Sequence, residues 1–105
     1  MKIEELKNAP QWLLDAKTHH ADVEIINGVV HWRGGTWYDG EWHGGTWHNG
    51  VWHDGEWHDG EWWNGTWHDG VWYNGMWHGG TWHDGEWHGG RYYATWLRKS
   101  NHSLN

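Results

Sequence analysis

Trp and Gly alternate with polar residues in a strict five-residue pattern through the middle of the chain. From His31 to Gly90, twelve consecutive units place Trp at the second position and Gly at the fifth. The residue before Trp is mostly Thr, Val or Glu, the residue after it is usually His, and the fourth is Asp, Asn or Gly. Twelve tandem units without a miss predict a repeat architecture. We expect the core to consist of the repeat Trp residues, which are Trp32, Trp37, Trp42, Trp47, Trp52, Trp57, Trp62, Trp67, Trp72, Trp77, Trp82 and Trp87.

Two all-β folds would use such units. Residues 47–52 (WHNGVW) are similar to the tryptophan-zipper hairpin peptides, so a single-layer antiparallel β-meander is one alternative. Backbone geometry disfavours the meander. A three-residue strand between two tight turns would have to direct the N–H and C=O groups of its first residue to the preceding strand and those of its third residue to the following strand. In a β-strand the first and third residues direct these groups to the same side, so a regular meander would need two alternating turn types and a ten-residue repeat. A β-solenoid, in which each five-residue side pairs with the coils above and below, needs only the period that is present.

A small and a large residue share the inside of such a coil. Gly40 stands two positions before Trp42, and Gly85 stands two positions before Trp87. In this size pattern the repeats resemble the pentapeptide-repeat family, with Gly and Trp where that family has Ala and Leu or Phe. The segment Ala21-Asp22-Val23 is closer still to the family's usual form. The resemblance implies a four-sided β-solenoid.

Four sides imply a coil of twenty residues. Over residues 36–90, the residue before Trp agrees at a lag of twenty in three of seven comparisons, and at a lag of ten in one of nine. We therefore expect about three coils of four five-residue units, each coil about 4.8 Å above the last.

The flanking segments have other patterns. Residues 1–20 favour a helix, because Asn8 and Pro10 suit a helix start and a short apolar face follows them. Residues 22–30 favour an extended chain around Asn27-Gly28. An uncapped solenoid would expose strand edges and could associate end to end, so we expect a cap at each end. On these patterns the chain divides into three parts. They are an N-terminal helical and extended cap (1–30), the repeat solenoid (31–90) and an aromatic C-terminal cap and tail (91–105).

Composition and charge argue against some classes of function. The formal net charge is −7, there is no Cys, and residues 31–95 hold nine acidic groups against Arg33 and Arg91. An acidic repeat region argues against nucleic-acid binding, which needs a basic face. No apolar stretch is long enough to span a membrane, and the N-terminus lacks the apolar run of a signal peptide. We expect a cytoplasmic protein.

Candidate chemistry is confined to repeated positions. Ser100 and Ser103 lie in the tail and there is no Cys, so no nucleophile stands out, and we expect neither an enzyme nor a cofactor. The His residues after Trp should point outward. In four-sided coils His48, His68 and His88 would stack on one face, where they could share a transition metal or simply be a solvated row.

Outward aromatic residues supply the other candidate surface. Trp63 lies off the repeat register, and Tyr38, Tyr73 and Tyr93 occupy equivalent positions. These four aromatic residues either contact a binding partner or are ordinary residues of the position after Trp. The primary hypothesis is a structural or interaction protein that binds a protein partner. The repeats also resemble those of uncharacterised tailed-phage proteins, which implies a viral accessory factor that acts on a host protein in the host cytoplasm. The alternatives are glycan or nucleotide stacking on Trp and Tyr, and metal binding by the His row.

Overall fold

The computed structural model describes residues 1–93 and shows a β-solenoid behind a short N-terminal cap. The cap contains a 3-10 turn at Ile3–Glu5, helix α1 at Gln11–Asp15 and strand β1 at Lys17–Ile26. Strand β2, Val29–Asp39, runs into the repeats. The later strands are two residues long: β3 Glu41–Trp42, β4 Thr46–Trp47, β5 Val51–Trp52, β6 Glu56–Trp57, β7 Glu61–Trp62, β8 Thr66–Trp67, β9 Val71–Trp72, β10 Met76–Trp77, β11 Thr81–Trp82, β12 Glu86–Trp87 and β13 Arg91–Tyr92. Within residues 1–93, no helix has the length and apolar character needed to span a membrane.

Each repeat strand pairs in parallel with the strand fifteen residues later. Trp32 lies opposite Trp47, Trp37 opposite Trp52, and Trp42 opposite Trp57. A coil therefore consists of three five-residue units, and the body makes about four coils. The β-solenoid is confirmed over the meander. The four-sided coil of twenty residues is wrong, because the ladders join residues that are fifteen apart.

The repeat Trp side chains fill the interior in three vertical columns. Eleven of them are buried, and Trp87 near the last described coil is partly buried. Within a column, successive rings stack with centroids 4.7–4.9 Å apart and planes within 5–8° of parallel. Consecutive Trp residues along the chain meet edge to face at 5.7–5.9 Å. Both arrangements are favourable for aromatic quadrupoles, so each ring is held from the side and from above.

Glycine forms the corners between the sides. The closing Gly of each unit has a φ between +97° and +132°, a conformation that L side chains rarely adopt. The coils also approach too closely for a side chain, since a Cβ on Gly65 would lie 2.2 Å from the carbonyl oxygen of Gly50 in the coil below. The obstacle to a side chain at this position is therefore the backbone of the neighbouring coil.

Asp and Asn complete the corners. In six units the Oδ1 atom of the fourth residue accepts a hydrogen bond of 2.8–2.9 Å from the N–H of the following Gly. Five of these residues are carboxylates: Asp39, Asp54, Asp59, Asp69 and Asp84. More than half of the acidic groups in the repeats therefore have a structural role at a corner.

The cap closes the first coil from below. Strand β1 pairs antiparallel with β2 under two sides of that coil, with Val23 opposite Trp32. Helix α1 lies under the third side, where Trp12 meets Trp42 edge to face at 5.0 Å. Leu13 and Val23 are fully buried against the Trp columns.

Two expectations for the cap need correction. The predicted helix over residues 1–20 is limited to α1 and a 3-10 turn, because pairing with β2 draws Lys17, Thr18 and His19 into a strand. The segment around Val23 points inward as expected but belongs to an antiparallel strand rather than to a coil. At the other end, β13 still pairs in register with β10. The rest of the predicted C-terminal cap, residues 94–105, lies outside the described residues.

A methyl group at a corner should disrupt the stacking of coils. We expect Gly65→Ala to lower the free energy of unfolding by about 2–4 kcal/mol, through backbone strain and overlap with the coil below. Gly44 is the matched control, because its φ is not positive and a Cβ there meets nothing within 4 Å. Urea melts should show a change below about 0.5 kcal/mol for Gly44→Ala. Equal losses for the two variants would contradict the corner assignment.

Removal of the cap should expose the end of the solenoid. Deleting residues 1–27 uncovers the undersides of Trp32, Trp37 and Trp42 together with the lower edge of β2, so we expect end-to-end association. Light scattering coupled to size-exclusion chromatography measures this directly. A truncated chain that stayed monodisperse, with the melting temperature of the full chain, would show that the cap is dispensable.

Candidate functional site

The residues before and after each Trp form three flat outer faces. The first face carries Arg33, His48, Trp63 and His78 after Trp and Tyr93 after Tyr92, beside His31, Thr46, Glu61, Met76 and Arg91. The second carries Tyr38, His53, His68 and His83, beside Thr36, Val51, Thr66 and Thr81. The third carries His43, His58, Tyr73 and His88, beside Glu41, Glu56, Val71 and Glu86.

The predicted metal set is not brought together. His48 lies on the first face, His68 on the second and His88 on the third, because side chains align at intervals of fifteen residues rather than twenty. The stack that does form on the second face has ring centroids 4.9–5.0 Å apart, and it consists of His53, His68 and His83. The proposed site at His48, His68 and His88 is therefore geometrically wrong.

The third face instead gathers His with Glu. In the first coil, the Nε2 atom of His43 lies 3.1 Å from Oε1 of Glu41. In the second coil, Nε2 of His58 lies 3.3 Å from Oε1 of Glu56 and 3.6 Å from Oε1 of Glu41. The His43 and His58 rings are parallel, with centroids 4.5 Å apart. Sequence reasoning missed this cluster, although the recurrence of Glu-Trp-His after fifteen residues was a signal for it.

The outward aromatic residues are exposed at the positions expected for them. Trp63 is 46% exposed and Tyr93 is 58% exposed on the first face, while Tyr38 and Tyr73 are exposed on the second and third. Trp63 stacks on His78 at 3.7 Å, and His78 stacks on Tyr93 at 5.0 Å. The exposed Met76 lies within 3.9 Å of the Tyr93 hydroxyl. Large apolar groups therefore cluster on the first face.

Charge is distributed unevenly over the faces. Within residues 31–93, the positions beside Trp include no carboxylate on the second face, Glu61 on the first face and three Glu residues on the third. Arg33 is committed to an ion pair with Glu24 of the cap, at 2.9 Å. The three faces thus differ in chemistry: aromatic, uncharged with His, and acidic with His.

Burial and nearby positive charge lower the pKa values of two His residues. Burial, and then the positive charges of Arg33 and His31, lower the pKa of His48. The His31 Nδ1 and His48 Nε2 atoms lie 3.0 Å apart in a hydrogen bond. Burial, and then the flanking His53 and His83, lower the pKa of His68.

These lowered pKa values predict that acid destabilises the fold. The unfolded chain takes up protons at a His pKa near 6.5, whereas folded His48 and His68 resist protonation. Stability is therefore full above about pH 6.5 and falls as the pH drops from there through the lower pKa values of the folded state. Urea melts at about pH 7.5 and about pH 5.5 should show this loss.

The variant His68→Gln provides the control for acid destabilisation. It removes the middle ring of the His row, so the difference between the two pH values should shrink. Equal or greater stability of the unaltered protein at the lower pH would mean that Glu–His attraction on the third face outweighs repulsion on the second.

No protein-family model, curated protein or solved structure matches this chain. The evidence for its function is therefore the arrangement of its own side chains on the three faces.

Proposed function

We propose that the protein is a non-enzymatic binding scaffold that contacts a protein partner through the first face, centred on Trp63. The observation that carries the proposal is the exposure of Trp63, Met76 and Tyr93 side by side on one flat face. Trp, Tyr and Met are enriched at the centres of protein–protein interfaces. Trp63 is not needed for the repeat, since eight of the twelve units have His after Trp.

The stacking of the outer rings favours a protein over a glycan or a nucleotide. Carbohydrate and base stacking need the face of an aromatic ring. Tyr73 has His58 on one side at 5.1 Å and His88 on the other at 5.2 Å, and Trp63 has His78 against one face. Eleven of the twelve repeat Trp residues are buried in the core, so they offer no stacking surface either. These stacked faces are closed to a sugar or a base, whereas the ring edges, the indole N–H and the Tyr hydroxyl remain accessible to a protein partner.

Rigidity supports the same proposal. From Glu56 to Tyr93, each side is tied to the coil below by two backbone hydrogen bonds, such as His78 N–H to the Trp62 carbonyl and Met76 N–H to the Gly60 carbonyl, at 2.7 and 2.9 Å. The rings beneath are stacked and the outer rings are stacked on one another. A surface that is already ordered loses little conformational entropy on binding.

Charge indicates the kind of partner. The repeat region has nine acidic groups and two Arg residues, and one of those, Arg33, is paired within the chain. The net negative charge of the repeat region would attract a basic partner over a distance, and the first face, where Glu61 and Arg91 flank Met76, would then bind that partner through the aromatic cluster. The resemblance to tailed-phage repeat proteins suggests a bacterial host protein, encountered in the host cytoplasm, as the first class of partner to test.

Replacing Trp63 with His tests the proposal without altering the fold. Trp63→His restores the residue that most units carry, and we expect it to abolish retention of a bacterial partner on the immobilised full chain. The control is Tyr38→His, the same type of change on the second face, which should retain the partner. Quantitative mass spectrometry of the captured proteins measures both. Identical captured proteins for the unaltered chain and Trp63→His would contradict a binding role for this face.

A further inference from the structure

We propose that Glu41, His43 and His58 bind one divalent transition-metal ion of the zinc type, with Glu56 as an adjoining carboxylate. One ligand atom from each of the first three residues lies within 4.8 Å of the others. These residues come from two coils, so the site exists only because the third face brings the first and second coils into register.

The spacing suits a metal with short bonds. Ligand atoms about 2.0–2.1 Å from a tetrahedral ion stand roughly 3.3 Å apart. The Nε2 atoms of His43 and His58 lie 3.1 and 3.6 Å from the same Glu41 oxygen. The two imidazole rings, which are parallel with centroids 4.5 Å apart, would have to tilt toward each other to bring all three ligands to bonding distance of one ion.

The donor set selects the class of metal. Two imidazoles with carboxylates suit zinc and its neighbours, whereas calcium and magnesium prefer oxygen ligands alone. Three protein ligands leave a tetrahedral ion one position for water or for a donor from another molecule, unless Glu56 occupies it.

An unsatisfied buried atom points to the same place. The Nε2 atom of His58 is shielded from solvent and makes no hydrogen bond, yet two carboxylate oxygens lie 3.3 and 3.6 Å away. A buried polar atom without a hydrogen bond is uncommon, and a bound cation is one recognised explanation for it. A cation would also relieve the repulsion between Glu41 and Glu56, which stand opposite each other on neighbouring strands.

The surroundings restrict the site to the first two coils. The third coil has Val71 and Tyr73 at the equivalent positions, so the Glu–His cluster is interrupted there. In the fourth coil Glu86 and His88 form the same pair at 3.0 Å but without matching neighbours on the strand below. Beside the first coil, helix α1 forms a groove with Glu41 and His43 in which Asp15 also lies. An ion here would therefore tie the first coil to the second beside the cap.

The experiment is calorimetric titration of the untagged full chain with Zn²⁺, with Co²⁺ absorption to detect a tetrahedral site. We expect one saturable site, with affinity reduced more than tenfold in Glu41→Gln and in His58→Asn, since even residues that only orient ligands contribute about tenfold or more. The matched controls are Glu86→Gln and His88→Asn, which alter the isolated pair and should change the affinity less than about twofold.

Near-ultraviolet circular dichroism of the stacked Trp core establishes whether each variant is folded. If His58→Asn fails to fold, the exposed Glu41→Gln still decides. Absence of saturable Zn²⁺ binding stronger than about 100 µM would overturn the proposal. Equal losses in the Glu86 and His88 controls would also overturn it, because binding would then be distributed over all Glu–His pairs.

Discussion

The structure depends on a match between two spacings, that of parallel β-strands and that of stacked indoles. Neighbouring strands in a sheet lie about 4.7–4.9 Å apart, and the Trp rings of successive coils are 4.7–4.9 Å apart. The backbone ladder and the aromatic core therefore impose the same rise on every coil. A slip of one residue would place a Trp outside and a polar side chain inside, so the register is fixed by burial as well as by hydrogen bonds. Hydrogen bonds of the indole N–H groups also orient the rings: those of Trp62 and Trp67 donate to the carbonyls of Gly79 and Asp84 at the corners of the coil above, each at 3.1 Å.

The number of sides follows from what stands at the corner and what fills the inside. A triangle turns through a larger angle at each corner than a square does, and a Gly with a φ near +120° allows this because no Cβ intrudes on the coil below. Three indoles in one coil then meet edge to face, as Trp32 meets Trp37 at 5.8 Å. A wider square coil would separate these rings from one another and leave a void at the axis, which a close-packed core disfavours.

The sequence was sufficient to predict the solenoid, the buried Trp residues and the outward positions, because these depend only on the five-residue period. It was insufficient for the number of sides. The agreements at a lag of twenty, such as Glu41 with Glu61 and Val51 with Val71, fall on outer positions that do not determine the shape of the coil. That error carried over to the site, since every assignment of residues to a common face depends on the coil length. With a coil of fifteen residues, His48, His68 and His88 separate onto three faces, whereas Glu41, His43, Glu56 and His58 come together. The predicted helix over residues 1–20 was shortened for another reason: pairing of Lys17 and Thr18 with β2 overrode the local preference for helix.

Stability and recognition are separated in this architecture. Trp and Gly supply the core and the corners of every unit, and in six units the Asp or Asn before Gly also caps the turn, so two or three of every five positions are committed to folding. The positions before and after Trp lie on the outer faces and need only tolerate an extended backbone. Their side chains can therefore change without disturbing the core, and the occupants of the three faces do differ, from the aromatic cluster at Trp63 to the Glu–His cluster at Glu41. Because the faces point in different directions from one rigid core, a protein bound to the first and an ion bound to the third would not compete for space. A triangular solenoid of this kind presents independent surfaces on a single short chain, and the sequence of each surface is read at intervals of fifteen residues.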